Sequence, residues 1–301
     1  MENKIIRIIE SRGVAAIPWI DVIDKIVGYT QKTIKELYLQ NKKNQYEIII
    51  PENLSNQLTF LYKPLIKVSA TYFLFPSDLP LGITQNQEDK EVNIIDNNID
   101  GIEIIISVTY DIHGNIRIKN FKSTLIHEIN HAFEIFCRFK KYGNIDKMID
   151  SNDKWSEINF NNQILNDILY YLICETEFNA LIAQFYGELS ELNSDRENFH
   201  TDIKKTDSYQ IYQNILKNYN NVIDSLNNDE TFKLQNHCIK TKIFHYKNFK
   251  NDDSFKNLFK NKVKHLLDIL MKNYGRAAGL YYYEKENSNK ITPKQKFKFG
   301  K

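Results

Sequence analysis

The 301-residue chain has no hydrophobic run long enough to cross a bilayer, no glycine-rich phosphate loop, no low-complexity segment and no internal repeat. A membrane-spanning helix needs about 20 consecutive apolar residues. Charges interrupt every apolar stretch here before that length, and the opening MENKIIRIIESRG does not read as a signal peptide. An excess of one charge is missing as well: 40 basic against 38 acidic side chains leave a formal +2. That balance excludes a surface built as a whole to bind nucleic acid or anionic membrane. Cysteine is scarce and odd in number. Cys137, Cys174 and Cys238 stand far apart in apolar helical patterns, so they read as reduced core residues and not as a disulfide framework. The expectation from these absences is a cytoplasmic protein with no membrane partner.

Histidine is also scarce, with seven in the chain, yet two of them fall four residues apart in His127-Glu128-Ile129-Asn130-His131. On a helix that spacing sends both imidazoles from one face, where they can bind one metal ion with Glu128 beside them. Helix is indeed the expectation for residues 122–142. Leu125, Ile126, Ile129, Ala132, Phe133, Phe136 and Phe139 recur at steps of three and four without proline or internal glycine. Asn120 or Ser123 can cap the first amides, and Lys140, Lys141 and Gly143 suit the last turn. The competing reading is a pair of core histidines with polar partners, although burying them with a glutamate is costly.

Upstream of that helix, Ile5–Glu10 and Ile17–Leu39 show helical spacing, punctuated by Gly13, Pro18 and Gly28. YEIIIP, ending at Pro51, and KVSATYFLFP, ending at Pro76, read as strands, and Ser77–Asp89 as a loop. Ile102–Tyr110 is the strongest strand candidate, with Ile116–Lys119 as its expected hairpin partner across the turn Asp111-Ile112-His113-Gly114-Asn115. Downstream, a long apolar helix is expected over Gln163–Leu189, carrying Glu175 and Glu177. Further amphipathic helices are expected at Ser208–Leu226, Glu230–Tyr246, Ser254–Tyr274 and Ala277–Tyr283. His237 and His245 lack a third ligand candidate nearby and read as ordinary polar residues. The final ITPKQKFKFGK is basic with interleaved Phe297 and Phe299. It reads as a solvated tail or as a local contact for nucleic acid or an acidic partner.

A strand hairpin just before an HExxH helix resembles the zincin metallopeptidases, in which an edge strand above the metal pairs with an extended peptide. No third histidine follows at the metzincin spacing, and Glu134 stands where that pattern has glycine. The downstream glutamates make the chain similar to the gluzincin branch. HEINHAFE followed by a glutamate helix is also similar to metallopeptidase-like proteins of AT-rich bacteriophages of gut bacteria. The resemblance covers about Gly101 to Leu189. It implies an α+β fold: a zincin-like core with a small mixed sheet and the HExxH helix, followed by a mostly helical C-terminal region. The division it suggests is N-terminal helices and strands over 1–100, the metal-site core over 101–190, and a helical region with a basic tail over 191–301.

The same resemblance implies zinc held by His127, His131 and a glutamate. The helical wheel leaves Glu175 and Glu177 both at a border. Gluzincin-like ligand glutamates have a small residue one turn on, as Ala180 follows Glu177, and this favours Glu177. Three protein ligands leave a position for water, the mark of a catalytic zinc. Glu128 is then the general base for peptide-bond hydrolysis. Tyr170, Tyr171, Tyr186, His200 and Arg276 are all conceivable oxyanion-stabilising groups, and spacing separates none of them. The expected partner is a peptide or protein substrate. The alternative is a structural or interaction protein, such as a phage virion component, that retains a zincin-like fold among other subunits of a larger assembly.

Overall fold

The computed structural model describes residues 20–41, 45–55, 57, 59–60, 63–64, 66–74, 88–95, 98–110, 122–131, 163–226 and 252–288. The chain divides into two compact units, Met1–Lys154 and Trp155–Lys301. The first described element of the first unit is α1, Ile20–Asn41. Its buried side chains Ile23, Ile26 and Thr30 fall at i, i+3 and i+7, one face of a 3.6-residue helix. Gly28 does not punctuate this segment as expected. It lies on the exposed side of α1 with open space around it, so the helix passes through at a cost of roughly 1 kcal/mol relative to alanine.

After α1 come β1 (Gln45–Ile49), a short α2 (Glu52–Ser55), β2 (Thr59–Phe60) and β3 (Lys63–Pro64). They are followed by β4 (Ile66–Leu74), β5 (Glu88–Ile95) and β6 (Asn98–Tyr110). The backbone ladders run in the order β1-β4-β6-β5. β4 pairs antiparallel with β1 and parallel with β6, with Ile66 opposite Ile102 and Leu74 opposite Tyr110. β5 pairs antiparallel with β6, with a register irregularity at Asn93/Ile94. The expected hairpin partner of β6 at Ile116–Lys119 lies outside the described residues. The expected loop over Ser77–Asp89 does not extend to its end, since β5 begins at Glu88.

These ladders do not make the packed part of the protein α+β. Where packing is described, the chain is 92% helical and includes no strand. Apart from Ile50 and Cys174, every described buried apolar side chain sits on a helix. The expected α+β core, in which a small mixed sheet supports the metal site, is therefore corrected. The described core is made by residues at helical spacing, and the β-branched runs that suggested a sheet core contribute extended backbone. The first unit's last described element is α3, residues 122–131. The rest of the expected 122–142 helix lies outside the described residues.

The first described element of the second unit is α4, Gln163–Asp167, which continues into a π-helical turn, Ile168–Ile173. Cys174 then takes an extended conformation (φ −71°, ψ 111°) and α5 starts at Glu175, running to Glu191. The single helix expected over Gln163–Leu189 is thus two helices with a break just ahead of both glutamates. The far end of α5 closes in a Schellman motif. Ser194 N–H reaches the Leu189 carbonyl at 3.0 Å and Asn193 N–H the Ser190 carbonyl at 3.1 Å. Asn193 holds φ 47°, the left-handed conformation that this cap requires and that asparagine tolerates.

Helix α6, Phe199–Asp202, lies between two 3₁₀ turns, and α7 spans Asp207–Leu226. The 37-residue α8 runs unbroken from Asp252 to Ser288, through Gly275, where two helices were expected. Its buried residues Phe259, Val263, Leu267, Leu270, Tyr274, Ala278 and Tyr281 keep steps of three and four throughout, which holds one stripe against the core. Phe185 of α5 stacks on Tyr274 of α8 with centroids 4.3 Å apart. Two such rings buried together dominate the local packing energy, since each removes about 150–250 Å² from water. No helix among the described residues is long and apolar enough to cross a membrane.

Candidate metal centre

All ten residues of α3 are buried, including its polar ones. With about 100° between successive residues, Leu125, Ile126 and Ile129 take one side. Ser123, Thr124, His127, Glu128, Asn130 and His131 take the other. An amphipathic helix normally turns such a polar side to water. In α3 it faces protein, which places six polar side chains where each needs a partner. Lys122, at the start of the helix, pairs with Asp24 of α1 at 2.5 Å. This contact fixes the entry of α3 against α1.

Within the polar stripe His127 and His131 converge as the sequence spacing predicts. Their Nε2 atoms lie 3.0 Å apart, and the rings meet edge to face with centroids 4.7 Å apart. A Glu128 carboxylate oxygen is 3.8 Å from His127 Nε2. One ligand atom from each of the three residues lies within 4.8 Å of the others, and all three residues are buried. Two nitrogens bound to one tetrahedral zinc at about 2.0–2.1 Å are separated by roughly 3.3 Å. The imidazole pair therefore has the reach of a chelate without backbone movement. The same separation suits an N–H···N hydrogen bond between the rings, whereas a divalent metal would need both Nε2 lone pairs, with each ring's proton on Nδ1. The donor set fits zinc in its chemistry also, since two neutral imidazoles suit a borderline-soft ion.

The structure brings together His127, Glu128 and His131, all from one helix. Glu177 belongs to the second unit, in the first turn of α5, where its side chain is buried. Glu175 opens the same helix, and its side chain lies outside the described residues. Beside Glu177, the Cys174 thiol sits 3.1 Å from the Thr176 hydroxyl. Burial pushes that thiol's pKa up, against the Thr176 hydrogen bond. The thiol is therefore held neutral and is no thiolate nucleophile. The pattern-breaking element that sequence reasoning missed is the π turn Ile168–Ile173, a feature that recurs at functional sites.

Compared with protein-family models, curated proteins and solved structures, the chain matches none.

The conceivable oxyanion-stabilising residues are all in the second unit. Tyr186 is buried and donates its hydroxyl proton to Glu284 at 2.7 Å, so that hydroxyl is committed within the helical core. Arg276 is exposed and donates to Asn273 Oδ1 at 3.3 Å. His200 is exposed beside Phe199. Tyr170 is 48% exposed and meets Tyr171 edge to face on the π turn. Cys137, Cys238, His237, His245, Phe297 and Phe299 lie outside the described residues.

Proposed function

We propose that the protein is a zinc-dependent metallopeptidase, with His127, His131 and a glutamate as metal ligands and Glu128 as general base. The observation that carries this reading is the 3.0 Å approach of the two Nε2 atoms on a buried helix, with the Glu128 carboxylate beside them. A zinc ion bound there would supply an acidified water and polarise a peptide carbonyl. The chain's own residues set the rest. His127 and His131 present their lone pairs from one face because they are one helical turn apart. Glu128, about 100° around the helix from His127, stands beside that face and not between the two nitrogens. It is therefore placed to accept and pass on a proton without spending its carboxylate on the metal. Burial of the cluster excludes bulk water, which strengthens each charge interaction within it.

The test is metal content. Purified wild-type protein is expected to carry about one zinc per chain, and the His127→Ala, His131→Ala double variant almost none. Equal, substoichiometric zinc in both would remove the site.

A further inference from the structure

Asn130 occupies the second variable position of the HExxH segment. On the helical wheel it lies about 60° from His127, on the side away from Glu128. Its side chain is 1% exposed. The other five polar residues of the stripe, Ser123, Thr124, His127, Glu128 and His131, are each engaged in a hydrogen bond, ion pair, ring contact or other electrostatic interaction. The Asn130 amide nitrogen is shielded from solvent and, among the described residues, has no hydrogen-bond partner. Such a buried donor costs about 1–3 kcal/mol when left unmet. A plain core position would hold leucine, which has nearly the same branched shape and no such cost. By helical position this donor flanks His127, and its neutral amide suits a neutral acceptor.

Resting on the metallopeptidase reading, we propose that Asn130 is a substrate-binding residue whose Nδ2–H donates to a carbonyl oxygen of the peptide held at the metal, across His127 from Glu128. The carboxamide contributes no proton to the chemistry and carries no charge. Its hydrogen bond forms with the bound peptide and persists through the reaction, so it acts on binding more than on turnover.

The experiment compares zinc-loaded wild type with Asn130→Leu and Asn130→Asp, using one peptide chosen from those that wild type cleaves in a mixed peptide library. The expected result for Asn130→Leu is unchanged zinc content, kcat within about twofold, and KM raised by about two- to tenfold, the range of one neutral hydrogen bond. Asn130→Asp should raise KM further, because an acceptor then faces the carbonyl. Metal-free Asn130→Leu should melt no lower than wild type, since it removes an unmet donor. Unchanged KM in both variants would overturn the proposal while leaving the metal reading intact, as expected if water alone meets the donor. Loss of zinc or a lower melting temperature in Asn130→Leu would overturn it in favour of a structural role. Wild type that binds zinc yet cleaves nothing in the library would overturn the substrate assignment. Wild type without zinc would fail the metal reading itself.

Discussion

The Glu188 carboxylate on α5 accepts the main-chain N–H of Ser208 at the start of α7, at 3.3 Å to one oxygen and 3.2 Å to the other. Gln184, one turn earlier on α5, donates to the same carboxylate at 2.9 Å. The Tyr274 hydroxyl of α8 donates to the Ser208 carbonyl at 3.0 Å. Three helices thus meet at one residue pair, and a fully buried acid lies at its centre. Burial raises the Glu188 pKa to about 8, against the lowering effect of its Gln184 and Ser208 hydrogen bonds, with nearby Asp207 adding to the rise.

The sign of the pH effect follows. Between the unfolded value of 4.5 and about 8, the folded chain keeps a proton that the unfolded chain releases. Stability from this group therefore falls as pH rises through that window and levels off above it. The change is on the order of a few kcal/mol. Glu188→Gln keeps a carbonyl acceptor for Gln184 or Ser208 and cannot ionise. Urea denaturation from pH 5 to 9 should show a flatter pH dependence for the variant, with the gap in its favour at the alkaline end. Parallel pH profiles would rule out Glu188 as the source.

How far the sequence exposed all this varied with the residues concerned. The α3 segment was legible because apolar residues at steps of three and four framed the two histidines, and the same period placed Glu128 off the shared imidazole face. The break before α5 was not. ILYYLIC is apolar at nearly every position, so no periodicity marks where α-helical geometry gives way to the π turn. The end of α5 was placed two residues early because Asn193, and not glycine, takes the left-handed position. β5 carries Glu88, Asp89, Lys90 and Glu91, residues that depress strand propensity, so only its pairing with β6 reveals it. Asn130 offered no signal at all, since its unmet donor is a property of the packed protein.

Lys285 of α8 uses all three ammonium donors on the turn that follows α5. Its Nζ lies 2.9 Å from the Asn193 and Ser194 carbonyls and 2.6 Å from Asp195 Oδ1. The two carbonyls belong to the Schellman cap, so α8 clamps the cap's strained residue in place. Lys285→Met keeps the aliphatic stem and removes the donors. The loss should be about 1–2 kcal/mol, moderated by partial exposure of the pair with Asp195. Chemical denaturation would measure it. A variant as stable as wild type would mean that water replaces the ammonium without penalty.

Glu177 and Glu175 are separated by their effect on metal affinity. Glu177 is buried in the first turn of α5 and is the glutamate ligand that the gluzincin resemblance implies. Glu177→Gln should weaken zinc binding by at least tenfold in a competitive chelator titration, and Glu175→Gln by much less. Glutamine retains the size of the side chain but replaces an anionic oxygen with a neutral amide, which is a poor partner for zinc. The reverse ranking would transfer the role to Glu175. Small, equal effects would remove both from the metal.

Glu128 separates binding from chemistry. Its carboxylate is buried 3.8 Å from His127 Nε2 and is not assigned to the metal. Glu128→Gln should therefore leave zinc content and melting behaviour close to those of wild type. The substitution removes a proton acceptor whose contribution is on the order of a hundredfold to ten-thousandfold in rate. Cleavage of the mixed peptide library should fall by that factor, and the loss should appear in kcat, because the base acts in the transition state. Raising the pH should not rescue it, since a carboxamide has no proton to lose in the accessible range. Undiminished cleavage by zinc-loaded Glu128→Gln would show that another group takes the proton. A large loss of zinc would show that Glu128 is a ligand, which would recast the three clustered residues as a complete metal triad supplied by one helix.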